Sequence, residues 1–148
     1  MSEFFTTETG VLERFDFITV KSNALKKRGD ITVYTPLSIK DDLSGLPIVI
    51  LLHGVYGSHW AWAMKGNAHK TAEKLIAEGK IKPMILVMPS DGLFGDGSGY
   101  VPHKKKKKKK WIVEDVIQVV KEQIPQATHD SPIFITGLSM GGFGALRL

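Results

Sequence analysis

The 148-residue sequence predicts an α/β fold, a mostly parallel, twisted sheet flanked by helices. Three observations carry that prediction. The runs Pro47 to Leu52 and Pro83 to Pro89 are apolar without alternation, as expected of strands covered on both faces. Two intervening segments, Ala68–Glu78 and Trp111–Ile124, space their apolar residues as helices do. A β-branched run, Pro132 to Thr136, leads straight into Gly137-Leu138-Ser139-Met140-Gly141-Gly142, and a helix-forming run, Phe143 to Leu148, follows.

Taken in order, Phe15–Val20 alternates as a strand, Lys21–Asp30 reads as a turn, and Ile31–Pro36 as a second strand, so the opening is an antiparallel pair. Lys40–Gly45 is polar loop. The strand Pro47–Leu52 closes on His53-Gly54, and Val55–Trp62 is a loop rich in aromatic and small residues. The helix Ala68–Glu78 stops at Gly79. After the strand Pro83–Pro89, Ser90–His103 forms a long loop with four glycines, a setting that often holds residues of a site. In Trp111–Ile124, Ile112, Val116, Val119 and Val120 share one side, Glu114, Lys121 and Glu122 another, and Pro125 ends the helix. No internal repeat or domain boundary divides residues 1–148.

Composition narrows the function classes. With 43% hydrophobic residues the chain is globular, and with no cysteine it has no disulfide framework, thiolate nucleophile or cysteine metal site. The start, Met1 to Glu8, lacks the basic and apolar regions of a secretory signal, so a cytoplasmic protein is expected. The longest apolar run is too short to cross a bilayer. The net charge of +5 belongs to one segment, the seven lysines Lys104–Lys110; without them 13 basic residues face 15 acidic ones. That run lacks interleaved aromatics, so it reads as a solvated, self-repelling loop or an artificial stretch, and neither a nucleic acid nor a membrane is expected as partner.

The chemistry concentrates at Ser139. A serine in a sharp strand-to-helix turn needs neighbours without side chains, because the backbone folds back so tightly there. Its hydroxyl then stands clear at the carboxyl edge of the sheet, where ligands of such folds bind. His53-Gly54 with its loop and the Ser90–His103 loop fall at the same edge.

Leu51-Leu52-His53-Gly54 with Gly57, the run Pro83–Gly92, and Gly137–Leu146 together resemble the putative-esterase (esterase D-like) branch of the α/β-hydrolases. The resemblance spans roughly residues 15–148. It implies an α/β-hydrolase fold and a serine carboxylic ester hydrolase acting through an acyl-enzyme on a small or carbohydrate-linked ester. Ser139 would be the nucleophile. The backbone N–H of Met140 and one from the loop after Gly54, Val55 or else Tyr56, would form the oxyanion hole, each donor worth about 3–4 kcal/mol toward the tetrahedral intermediate. Asp91 would contact substrate. Trp60 and Trp62 would line an acyl or alcohol pocket, or else cap the core. His53 reads as a residue that holds its loop through the ring nitrogens rather than as a catalyst. No metal or organic cofactor is implied, because this mechanism uses only side chains and backbone dipoles.

The pattern also departs from the family. Its triad runs Ser, then Asp or Glu, then His along the chain, yet the nine residues after Ser139 contain no acid and no histidine. His53, His59, His69, His103 and His129 all precede it. The chain therefore reads as an N-terminal half, with acid and histidine supplied by a remainder or a second chain. The alternative is a non-catalytic module of the same fold. In either case an open sheet edge beyond the Ser139 strand predicts self-association.

Overall fold

The computed structural model describes residues 7–40, 42–92, 97–101 and 108–148, and both unbroken apolar runs lie there as interior strands of one sheet. The strands are β1 (Thr7–Leu12), β2 (Phe15–Ser22), β3 (Lys27–Tyr34), β4 (Ile48–Leu52), β5 (Ile85–Pro89) and β6 (Ile133–Gly137). The helices are α1 (Ala61–Met64), α2 (Ala68–Ala77), α3 (Lys108–Lys110), a π-helical segment (Trp111–Val116), α4 (Ile117–Gln123) and α5 (Met140–Arg147).

The strands lie in the order β1-β2-β3-β5-β4-β6. β5-β4-β6 is parallel, whereas β1-β2, β2-β3 and β3-β5 pair antiparallel, so the α/β sheet is mixed and its parallel part is the half that carries the Ser139 turn.

Alternation assigns the two faces. Ile48, Ile50, Leu52, Ile85 and Val87 pack with Trp111, Ile112, Val116, Val119 and Val120 on one side of the sheet. Leu51, Leu86 and Met88 pack with Ala63, Ala72 and Ile76 of α1 and α2 on the other. Because helices cover both faces of β4 and β5, neither strand needs a polar face, and their sequences show none.

Two local features differ from the sequence reading. The turn expected over Lys21–Asp30 is only residues 23–26, because the two strands pair through Ser22 and Lys27. Buried Asp115 of the π-helical segment accepts hydrogen bonds from the Ser22 hydroxyl and, at 3.4 Å, from the Ala24 N–H, which ties the hairpin tip to the helix layer. β1 was not expected at all. Its exposed Val11 and Leu12 contribute no buried face that patterning could register.

β6 closes the described sheet as an edge strand, and Phe134 on it is exposed, as are Leu138, Phe143 and Leu146 beside and along α5. Among the described residues no helix is long and apolar enough to cross a membrane.

Candidate active site

Ser139 sits between β6 and α5 with φ 56° and ψ −116°, a conformation that L residues rarely adopt. The surrounding glycines make it possible. A Cβ at Gly137 would lie 2.3 Å from the Gly141 carbonyl carbon, and one at Gly141 would lie 2.1 Å from the Leu52 carbonyl oxygen. Side chains at either place would push α5 away from β6 and β4. The turn is held by the Leu138 N–H donating to the Leu52 carbonyl (3.2 Å) and the Gly141 N–H donating to the Leu138 carbonyl (2.9 Å). Ser139 itself is exposed.

The loop after β4 lies directly against this turn. A Cβ at Gly54 would be 3.5 Å from the Ser139 Cβ and 4.0 Å from its Oγ. Three successive carbonyls anchor the start of the loop. Leu52 accepts from Trp62 Nε1 (3.0 Å), His53 from the Tyr100 hydroxyl (3.2 Å), and Gly54 from His53 Nδ1 (2.7 Å) and the Gly57 N–H (3.1 Å). The Asp91 N–H donates to His53 Nε2 at 3.1 Å, so that nitrogen carries no proton and Nδ1 is the donor. His53 is buried with both ring nitrogens engaged by backbone. Fixing the Gly54 carbonyl also fixes the Val55 N–H of the same peptide plane, which points the opposite way. Among the described residues, no group accepts a hydrogen bond from the N–H of Val55, Tyr56 or Met140.

A third segment braces the other two. The Gly99 N–H donates to Met140 Sδ (3.2 Å), and Gly97 leaves room for both Met140 and Val55. Tyr100 is buried against Gly144 of α5, and burial together with the Asp91 charge raises its phenol pKa. Asp91 is buried as well. Its carboxylate accepts from the Ser98 N–H at 2.7 Å, which makes it a brace of this loop, and it is absent from the wall of the cavity described next.

A cavity of about 470 Å³ opens beside the turn, lined by His53, Gly54, Val55, Tyr56, Trp62 and Leu138 among others. Of the residues expected from the sequence, Val55, Tyr56 and Trp62 meet there, with Met140 and Ser139 adjoining them. Trp60, partly exposed, is not on the wall. Lys65 and Gly66 do line it, and the sequence reading missed both. No motif marks them; they arrive because α1 turns its C-terminal end toward the cavity.

The described histidines do not supply a base. His59 Nδ1 lies 2.8 Å from Thr32 Oγ1 on β3, which stands three strand positions from β6, on the order of 14 Å. Burial lowers its pKa from the ordinary histidine value, and the charge of Asp30 opposes that shift. His69 packs between Phe15 and Tyr34. His129 precedes β6, at the opposite end of that strand from Ser139. His103 lies outside the described residues. Among the described residues Ser139 Oγ has no hydrogen-bond partner, and none of the His, Asp and Glu side chains form a group able to hold a metal ion.

A serine on a strained strand-to-helix turn, with loops gathered at the carboxyl ends of parallel strands, defines an α/β-hydrolase. A sequence model of the family described as "Putative esterase" matches residues 22–148, and the chain belongs to that family. The chain is 28% identical over 140 residues to an acetyl esterase of Caldicellulosiruptor saccharolyticus, covering 88% of this chain and 48% of that protein. It is 27% identical over 133 residues to an endo-1,4-beta-xylanase/feruloyl esterase of Xylanibacter ruminicola, covering 84% of this chain and 18% of the relative. The solved structure of a ferulic acid esterase superposes with a TM-score of 0.76 at 25% identity, over 95% of this chain and 52% of that one. The chain thus spans at most about half the length of these relatives.

Proposed function

We propose that this chain carries the nucleophile and the oxyanion-binding half of a serine carboxylic ester hydrolase. The observation that carries the reading is the rare backbone conformation of Ser139 beside three N–H groups that have no acceptor among the described residues. In the reaction Ser139 Oγ attacks the ester carbonyl carbon while its proton passes to a general base. The N–H groups of Met140 and Val55, with Tyr56 next in line, stabilise the tetrahedral oxyanion. The C–O bond then breaks, the alcohol leaves with the proton, and water hydrolyses the acyl-enzyme by the same steps in reverse. The acid and the histidine come from the remainder of the polypeptide or from a second chain. The names of the relatives favour a small acyl group or one carried on a carbohydrate.

The test is ester turnover by the complete polypeptide, with and without Ser139→Ala. The substitution is expected to lower kcat by at least about a thousandfold. Unchanged turnover would sink the assignment.

One observation favours a second reading, a module that keeps the fold without catalysis: no described histidine or carboxylate engages Ser139. Trapping an acyl group on Ser139 rules that reading out.

A further inference from the structure

We propose that Lys65 makes the cavity beside Ser139 a subsite for an anionic group, so that the preferred ester carries a carboxylate on the portion bound there. The position of the ester rests on the reading of Ser139 as nucleophile. The charge selection rests only on the cavity.

Lys65 follows α1, and its N–H donates to the Ala61 carbonyl at 3.0 Å. At Gly66 an added Cβ would lie 2.8 Å from the Trp62 carbonyl oxygen, so the absence of a side chain lets the backbone close tightly over the end of α1. That closure places Lys65 on the cavity wall with Trp62 and Tyr56. Among the described residues Lys65 is the only permanently charged side chain lining the cavity, and no carboxylate lies within ion-pairing distance of it. Lys74 and Lys80 pair with Glu78, and Lys110 pairs with Glu114. Among the described residues Lys21, Lys26, Lys70 and Lys82 also lack a carboxylate partner, so what distinguishes Lys65 is its place on the cavity wall. Among the described residues the other ionisable side chains on the wall are the Tyr56 phenol and His53, whose two ring nitrogens are both engaged by backbone.

The wall is thus apolar and aromatic, with one unanswered positive charge. A pocket of that kind takes its affinity from burying apolar surface and its orientation from the few polar groups present. A neutral acyl chain fills such a pocket without using the ammonium. A carboxylate-bearing ligand also forms a charge-assisted hydrogen bond to it. Lys65 is exposed, so the contact has the modest strength of a solvent-screened ion pair.

The experiment is equilibrium binding of two amides that the protein cannot hydrolyse, measured by calorimetry. One is N-phenylsuccinamate, with a free carboxylate; the other is its neutral carboxamide counterpart. The complete polypeptide is used with Ser139→Ala, so that turnover plays no part. The carboxylate ligand is expected to bind about fivefold more tightly, as for a partly exposed ion pair, with the advantage shrinking as salt is raised. Lys65→Met and Lys65→Gln are expected to equalise the two affinities, and Lys65→Arg to keep the difference. Equal affinities without substitution, no binding of either ligand, or a preference that survives Lys65→Met would overturn the proposal. Fluorophosphonate labelling of the polypeptide with Ser139 intact separates the two readings. A charge preference without labelling refutes the nucleophile and leaves the subsite, whereas labelling without a charge preference refutes the subsite.

Discussion

Replacing Gly141 by alanine tests how tightly the Ser139 turn is bound to the sheet. The added Cβ would lie 2.1 Å from the Leu52 carbonyl oxygen and 2.8 Å from that of His53, against 3.4 Å or more for ordinary contact. Both neighbours are backbone, so no side chain can swing aside, and α5 must move from β4 by more than about 1 Å. Overpacking of this kind costs about 1–3 kcal/mol. The Leu52 carbonyl also accepts from the Leu138 N–H and Trp62 Nε1, and losing both bonds costs about 2 kcal/mol more. Alanine returns about 1 kcal/mol as the better helix former. The net loss is therefore about 2–4 kcal/mol, a large part of the roughly 5–15 kcal/mol that stabilises a domain. Urea unfolding followed by circular dichroism, at matched m-values, measures it. Gly10→Ala is the control, because an added Cβ there meets nothing within 4 Å. A loss below about 1 kcal/mol at Gly141 would refute the argument that this approach of backbone to backbone requires glycine.

Four further outcomes are expected. Ser139→Gly should abolish turnover yet stabilise the fold by about 1 kcal/mol, since relief of backbone strain outweighs the extra freedom of the unfolded chain; thermal unfolding reads this directly. Tyr100→Phe removes the bond to the His53 carbonyl and should cost about 1 kcal/mol in urea unfolding. Stability should fall as pH drops below about 6.5, because burial lowers the pKa values of His59 and His69, and the unfolded chain then takes up protons that the folded one does not. Replacing both histidines by glutamine should flatten the profile between neutral pH and the onset of carboxylate protonation. The isolated 148-residue chain should self-associate through the β6 edge, and Phe134→Lys should reduce its light scattering.

The Ser139 turn was legible because its requirement is local. Two glycines at fixed spacing record a backbone that tolerates no Cβ, and the runs on either side record a strand and a helix. β4 and β5 were legible because burial on both faces leaves an unbroken apolar run.

Lateral order was not legible. Nothing in Ile85–Pro89 says that it inserts between β3 and β4, since the apolar pattern fixes faces but not neighbours. The helix at Trp111 was expected, but its π-helical start was not. The buried pairs Trp111-Ile112, Asp115-Val116 and Val119-Val120 recur every four residues, a spacing that drifts around a regular α-helix and that a wider turn keeps on one face. The family resemblance implied that Asp91 contacts substrate. In the structure Asp91 is buried and accepts from the Ser98 N–H, a bracing contact that no local sequence pattern marks. Lys65 gave no signal, because its place on the cavity depends on how α1 ends against β4.

The most direct test of Ser139 as nucleophile is an intact-mass spectrum of the complete polypeptide after treatment with a fluorophosphonate. One adduct is expected, mapped by digestion to the peptide holding Gly137–Gly142 and lost in Ser139→Ala. Absence of an adduct, or an adduct on another residue that persists in Ser139→Ala, would contradict it.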